Sequence, residues 1–152
     1  EYDYGKNIKG LYLHGNFGCG KTYILSACFN EMKKRGFRTK IVYLPDLLRT
    51  IKGDFEAMND IMDELCNIDI LLIDDIGAEK VTDWGRDEIL GTILQSRMNE
   101  HKTTFFTSNF TIKELEEHLS NKGVDKVKAN RIIERIKQLT IDMEMLGANM
   151  RK

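Results

Sequence analysis

Proline, cysteine and long hydrophobic runs are scarce in this chain of 152 residues, and each scarcity excludes a class of protein. The single proline and the 12 glycines are too few for a fibrous repeat or a low-complexity linker. No apolar run approaches the ~20 residues that a membrane span needs. The 3 cysteines, at positions 19, 28 and 66, lack CxxC spacing. We therefore expect neither a disulfide framework nor a zinc knuckle, and a reducing, cytoplasmic location fits best.

Neither sign of charge is in excess, because 23 lysines and arginines oppose 24 aspartates and glutamates for a net charge of -1. Any contact with a nucleic acid or an anionic membrane therefore has to be local. A composition of 41% hydrophobic and 31% charged residues suits one compact domain, residues 1–152. Because charged residues stand at positions 1, 3 and 6, we expect no signal peptide in this segment. Since the chain begins with Glu1 and a strand is predicted from Gly10, we expect a domain of a longer protein.

Strands alternate with helices along the sequence. Short apolar segments predict strands at residues 10–14, 39–44, 69–74, 103–107 and 139–143. Apolar residues at helical spacing and capping signals predict helices at residues 21–35, 47–51, 55–65, 83–101, 112–119 and 125–137. Phe55, Met58 and Met62 belong to the apolar spacing of the third helix, and we expect the methionines in the core. This alternation predicts an α/β three-layer domain with a mostly parallel sheet.

The segment GNFGCGKT matches the phosphate-loop pattern GxxxxGK[ST], and it lies between a predicted strand and a predicted helix, as this motif requires. Its glycines let backbone N–H groups face phosphate oxygens, and the helix N-terminus adds its positive dipole. Lys21 would contact the β- and γ-phosphates, and the Thr22 hydroxyl would bind Mg²⁺. We assign nucleotide binding to the whole segment: Gly15, Asn16, Phe17, Gly18, Cys19, Gly20, Lys21 and Thr22.

Polar residues end two of the predicted strands. Asp74 and Asp75 follow four apolar residues, and in a parallel α/β sheet such a strand end faces the same site as the phosphate loop. Asp74 would bind Mg²⁺, and Asp75 would orient or deprotonate the attacking water. Asn109 could hydrogen-bond that water or the γ-phosphate, although asparagine is equally common in plain turns.

The predicted helix at 125–137 is basic, and Arg131 and Arg135 lie four residues apart on one face. They could form a solvated face or pair with Glu134. Alternatively, one of them reaches the γ-phosphate held by a neighbouring subunit, as an arginine finger. The segment NKGVD at 121–125 has one residue too many for a guanine-reading NKxD element. The 3 histidines fall in different elements, which argues against a metal or Ser-His-Asp site.

Five segments together, GLYLHGNFGCGKT, LLIDDIGAE, TDWGRDEIL, FFTSNF and ANRIIERI, resemble the AAA+ ATPase domain of bacterial replicative helicase loaders of the DnaC/DnaI type. The resemblance implies a P-loop NTPase sandwich with sheet order 5-1-4-3-2, ATP and Mg²⁺ as cofactors, and work in the primosome at the start of DNA replication. The implied partners are the replicative helicase, single-stranded DNA and further copies of the chain. The implied catalytic residues are Lys21, Asp75, the sensor-1 residue Asn109, and Arg135 acting in trans.

The chain departs from this family's pattern in ways that lower the expected activity. Asp75 stands where many AAA+ proteins have Glu, so hydrolysis by the isolated domain is expected to be slow. A helical lid and the N-terminal helicase-binding domain are not part of these residues. Two rival enzymes share the phosphate loop: an IstB-like transposition ATPase and a small-molecule P-loop kinase. A nucleotide-independent DNA-binding module is disfavoured by the net charge of -1.

Overall fold

A computed structural model describes residues 8–16 and 20–145. Its sheet has five parallel strands in the order β2-β3-β4-β1-β5, which confirms the predicted order. The strands are β1 (Gly10–His14), β2 (Thr39–Tyr43), β3 (Ile70–Asp74), β4 (Thr103–Ser108) and β5 (Thr140–Glu144). The α-helices are α1 (Lys21–Lys34), α2 (Leu44–Gly53), α3 (Met58–Asn67), α4 (Gly91–Asn99), α5 (Ile112–Leu119) and α6 (Lys126–Leu139). No helix in the described residues is long and apolar enough to cross a membrane.

Side chains of β3 alternate between two cores, because successive residues of a strand point to opposite faces of the sheet. Leu71 and Ile73 belong to the larger core, which α2 to α6 cover. Ile70 and Leu72 belong to the smaller core, where Leu25 of α1 packs with them. Since β3 is buried on both faces, its run of apolar residues is the pattern of a central parallel strand. The two cores confirm the predicted three layers.

Two local predictions around α2 and α3 were wrong in detail. The second strand was predicted to include residue 44, but β2 ends at Tyr43 and α2 begins at Leu44, with Pro45 in the first turn, where a missing backbone N–H is tolerated. The predicted helix from residue 55 begins as a 3₁₀ turn, Phe55–Ala57, and becomes α-helical only at Met58. Phe55 does not join the core, since its side chain is 62% exposed, whereas Met62 is buried as expected.

A π-helix, Trp84–Leu90, precedes α4 and was not predicted. The Thr82 hydroxyl precedes this segment and accepts a hydrogen bond from the backbone N–H of Gly85 at 3.0 Å. The π-helix buries Arg86, whose guanidinium donates to three carboxylates: Asp83, Asp87 and Asp125. Asp125 precedes α6, so Arg86 ties the π-helix to the start of the basic helix. The hydrogen bonds that Arg86 donates to Asp87 hold the pKa of Asp87 below its usual range.

Candidate nucleotide-binding site

The carboxyl ends of β1, β3 and β4 meet at one edge of the sheet, because β4 lies between the other two strands. The phosphate loop leaves β1, Asp74 ends β3, and Asn109 follows β4. Residues that are far apart in sequence thus converge where α/β sheets usually bind ligands. Of the segment predicted to bind nucleotide, Phe17, Gly18 and Cys19 lie outside the described residues.

The Lys21 side chain links the phosphate loop to β4. It is 8% exposed, and its Nζ donates to the carbonyl oxygens of Gly15 at 2.9 Å and Asn16 at 3.2 Å. It also donates to Asn109 Oδ1 at 3.1 Å. Gly20 precedes α1 with φ at +92°, a left-handed conformation that glycine adopts at little cost. The loop therefore turns directly into the helix whose first residue is the lysine.

The backbone N–H of Gly15 has a different hydrogen-bond partner from the one predicted. Its backbone N–H donates to the carbonyl of Ser108 at 3.3 Å and so continues the pairing of β1 with β4 by one residue. This amide is therefore engaged with the sheet, whereas the prediction had it facing a phosphate. The carbonyl of Gly15 contacts the lysine as described above.

Thr22 and Asp74 lie together beside the lysine. The Thr22 hydroxyl donates to Asp74 Oδ1 at 2.9 Å. A hydroxyl and a carboxylate are hard oxygen ligands of the kind that Mg²⁺ prefers, with water and phosphate oxygens completing its octahedron. Within residues 8–16 and 20–145, no three acidic, histidine or cysteine side chains cluster as a metal cage. That absence is compatible with the phosphate-loop type of magnesium site, to which the protein contributes few ligands.

Thr107 is a residue of this site that the sequence motifs did not single out. It is 1% exposed on β4, and its hydroxyl donates to Asp74 Oδ1 at 2.6 Å. The Thr107 hydroxyl oxygen also accepts a hydrogen bond from the backbone N–H of Asp75 at 2.7 Å. In the sequence, Thr107 is only a threonine near the end of β4. Its position becomes informative once the strand order shows that β4 is the neighbour of β3, which ends at Asp74.

Asp75 is half-buried in a turn and has a left-handed backbone with φ of 56°. Burial and the neighbouring Asp74 raise the pKa of Asp75, and Lys21 opposes that shift. Behind it, Glu79 is 8% exposed, and its carboxylate accepts the backbone N–H of Gly77 at 2.9 Å. Burial raises the pKa of Glu79. The turn that carries Asp75 is therefore held by buried polar contacts on both sides.

The two arginines of α6 lie in a groove between α4 and α6 of about 700 Å³. Arg135 Nε donates to Gln95 Oε1 at 2.7 Å, and Gln95 in turn donates to Asn99 at 3.0 Å. Arg131 is exposed beside it. Glu134, the alternative partner of these arginines, lies 3.7 Å from the Nζ atom of Lys137. Arg135 is thus held on a helical face, in a groove whose lining residues do not include Lys21.

Two features define the class of P-loop NTPases. The segment GNFGCGKT connects a strand to a helix, and the strand belongs to a parallel sheet of the order β2-β3-β4-β1-β5. The family model described as the bacterial DnaA ATPase domain matches residues 3–134. The chain therefore belongs to this family of AAA+ ATPase domains, and its resemblance to helicase loaders of the DnaC/DnaI type is confirmed by the relatives below.

The replicative helicase loader DnaI of Bacillus subtilis (strain 168) is 41% identical over 148 residues, which are 94% of this chain and 48% of the relative. The chain thus spans about half the length of this curated relative. A crystal structure of DnaI is 47% identical with a TM-score of 0.88, covering 96% of this chain and 78% of that one. The replication initiator DnaA bound to AMPPCP and single-stranded DNA has the same fold, with 23% identity and a TM-score of 0.76 over 94% of this chain and 42% of that one.

Proposed function

We propose that this chain is the ATP-binding and slowly hydrolysing domain of a replicative helicase loader that acts at the initiation of DNA replication. The observation that carries the proposal is the convergence of Lys21 with Asn109, next to the Thr22–Asp74 pair. The DnaA structure of the same fold is described as bound to AMPPCP, a nucleotide analogue, which supports ATP as the ligand. Membership in an ATPase family supports the activity in general.

The roles of the residues follow from their chemistry. Phosphates would lie against the loop at 15–20, and Lys21 would exchange the carbonyls of Gly15 and Asn16 for phosphate oxygens. Thr22 and Asp74 would hold Mg²⁺, which when bound neutralises charge on the phosphates. Asp75 would accept a proton from the attacking water, a role that a raised pKa favours.

The partners proposed for the whole protein are the replicative helicase, further copies of this chain and single-stranded DNA. We propose that helicase binding resides in an N-terminal domain preceding residues 1–152 in the full protein, and that the protein acts in the cytoplasm. Arg135 is proposed to act in trans, because its groove is on a face of α6 and α4 that a neighbouring subunit could approach. The assembly of the helicase, the copies of this chain and the single-stranded DNA would then depend on bound ATP.

The test of this function is a pull-down of the full-length protein with the replicative helicase, with and without ATP. We expect the helicase to be retained and the amount to change with ATP. An absence of helicase in both conditions would contradict the proposal. Capture of a transposase in place of helicase would favour the IstB-like alternative, and phosphorylation of a small acceptor would favour the kinase.

A small aromatic surface supports the single-stranded DNA partner. It consists of Lys52, the exposed Phe55 and the half-buried Trp84. Phe55 is 62% exposed and packs edge to face on Trp84, with ring centroids 6.0 Å apart. The Nζ atom of Lys52 lies 5.6 Å from the centroid of the Trp84 ring. Proteins that bind single strands without sequence preference combine stacking platforms with nearby positive charge. The net charge of -1 does not oppose such a local site.

Phe55→Ala is expected to weaken binding of an oligo(dT) strand by about tenfold, since stacking contributes ~1–3 kcal/mol per base. Lys52→Ala should reduce the slope of log affinity against log salt by about 0.7, because one phosphate contact is lost. Fluorescence anisotropy at several salt concentrations, with ATP present, measures both effects. Val127→Ala and Lys113→Ala, at exposed positions on other helices, are the controls. Binding that is independent of salt, or unchanged in both variants, would contradict this interface.

A further inference from the structure

Thr107 connects the two acidic residues of the site through one hydroxyl group. Its oxygen is 2.6 Å from Asp74 Oδ1 and 2.7 Å from the backbone nitrogen of Asp75. A threonine hydroxyl has a single proton, and a backbone N–H can only donate. The oxygen therefore accepts from Asp75, and its own proton is directed to the carboxylate of Asp74.

Strand register makes this contact a fixed part of the fold. The parallel pairing of β3 with β4 aligns Ile73 with Phe106, so the next residues of the two strands are Asp74 and Thr107. The backbone of Thr107 also takes part, since its carbonyl accepts the N–H of Ile76 at 2.9 Å. Thr107 thus contacts three consecutive residues at the end of β3 and the following turn.

We propose that Thr107 is a positioning residue, which aims the Asp74 carboxylate at the magnesium and holds the turn that presents Asp75. This inference rests on the proposed function. Asp74 Oδ1 accepts from Thr22 and Thr107 together, so two hydroxyls fix the direction of the carboxylate. Asp75 has a φ of 56°, which is unfavourable for a residue with a Cβ and persists only when neighbours hold it. The Thr107 hydroxyl is one of those neighbours.

The test compares Thr107→Ala with Thr107→Ser in the full-length protein. Both variants lose the buried methyl group, so they differ only in the hydroxyl and any loss of packing is matched. Binding of a fluorescent ADP is followed in EDTA and during a Mg²⁺ titration. We expect Thr107→Ala to need about 10–100-fold more Mg²⁺ than Thr107→Ser for half-maximal effect, as is typical when a group that orients a metal ligand is removed. Nucleotide affinity in EDTA should be equal in the two variants.

Turnover supplies a second readout. At saturating Mg²⁺, Thr107→Ala should retain a lower kcat than Thr107→Ser with a similar KM for ATP, because the presentation of Asp75 is lost while the phosphate loop is intact. Equal Mg²⁺ requirements and equal kcat in the two variants would overturn the role of the hydroxyl. A wild-type protein that binds no nucleotide, or binds it without response to Mg²⁺, would instead overturn the proposed function. The two failures are therefore distinguishable.

Discussion

Lys21→Ala is expected to weaken ATP binding by about tenfold to a hundredfold, the loss expected when a hydrogen bond to a charged group is removed. Turnover should fall further, by about 10²–10³. The positive charge that faces the γ-phosphate would then also be missing in the transition state, where negative charge develops. The ammonium group is well placed for this role, since the side chain is 8% exposed and already contacts three oxygen acceptors around the loop. Calorimetry with ATP and Mg²⁺ measures affinity, and phosphate release measures turnover.

Two comparisons separate the charge of Lys21 from its structural contacts. Lys34→Ala removes an exposed lysine from the last turn of the same helix, so binding and turnover should both stay at the wild-type level. Lys21→Met keeps the aliphatic stem that fills the site but lacks the ammonium, and it should behave like Lys21→Ala. If Lys21→Met bound ATP with wild-type affinity, the assignment of the phosphates to this loop would be wrong.

The features that the sequence predicted depend on residues close together in the chain. GNFGCGKT predicts a loop between a strand and a helix because its glycines, lysine and threonine act within one turn. Thr111 and Glu114 predict a capping box, and the structure contains both of its hydrogen bonds. The order of the strands in the sheet was predicted from the family resemblance, which covers almost the whole chain. No single segment of the sequence indicates which strands are neighbours.

The features that the sequence missed depend on which strands and helices are neighbours. Thr107 is separated from Asp74 by 33 residues, and Gln95 from Arg135 by 40, so neither pair has a local signal. The start of the third helix was missed for a different reason. Helical spacing includes Phe55, but residues 55–57 form a 3₁₀ turn and the α-helix begins only at Met58.

Arg135→Ala is expected to leave ATP binding nearly unchanged but to lower assembly-stimulated hydrolysis by about 10³ or more, the contribution of an arginine finger. The physical reason is the position of Arg135, which Gln95 holds in the groove of α4 and α6, among lining residues that do not include Lys21. Activity is measured over a range of protein concentrations, because a trans contribution grows as subunits associate. Arg131→Ala identifies which arginine of the groove is the finger, and Lys137→Ala, exposed on the same helix, is the control.

A mixing experiment tests whether Arg135 acts between subunits. Asp75→Asn keeps the arginine but lacks the proposed proton acceptor, whereas Arg135→Ala keeps that acceptor but lacks the arginine. Each variant alone should be nearly inactive, and equimolar mixing should restore part of the hydrolysis, since Arg135 of the first variant can reach ATP held by the second. A mixture as inactive as its components, under conditions where assembly is verified by light scattering, would argue against action in trans. Equal activity of wild type and Arg135→Ala at high concentration would leave the arginine with only its contact to Gln95, as a structural residue of the groove.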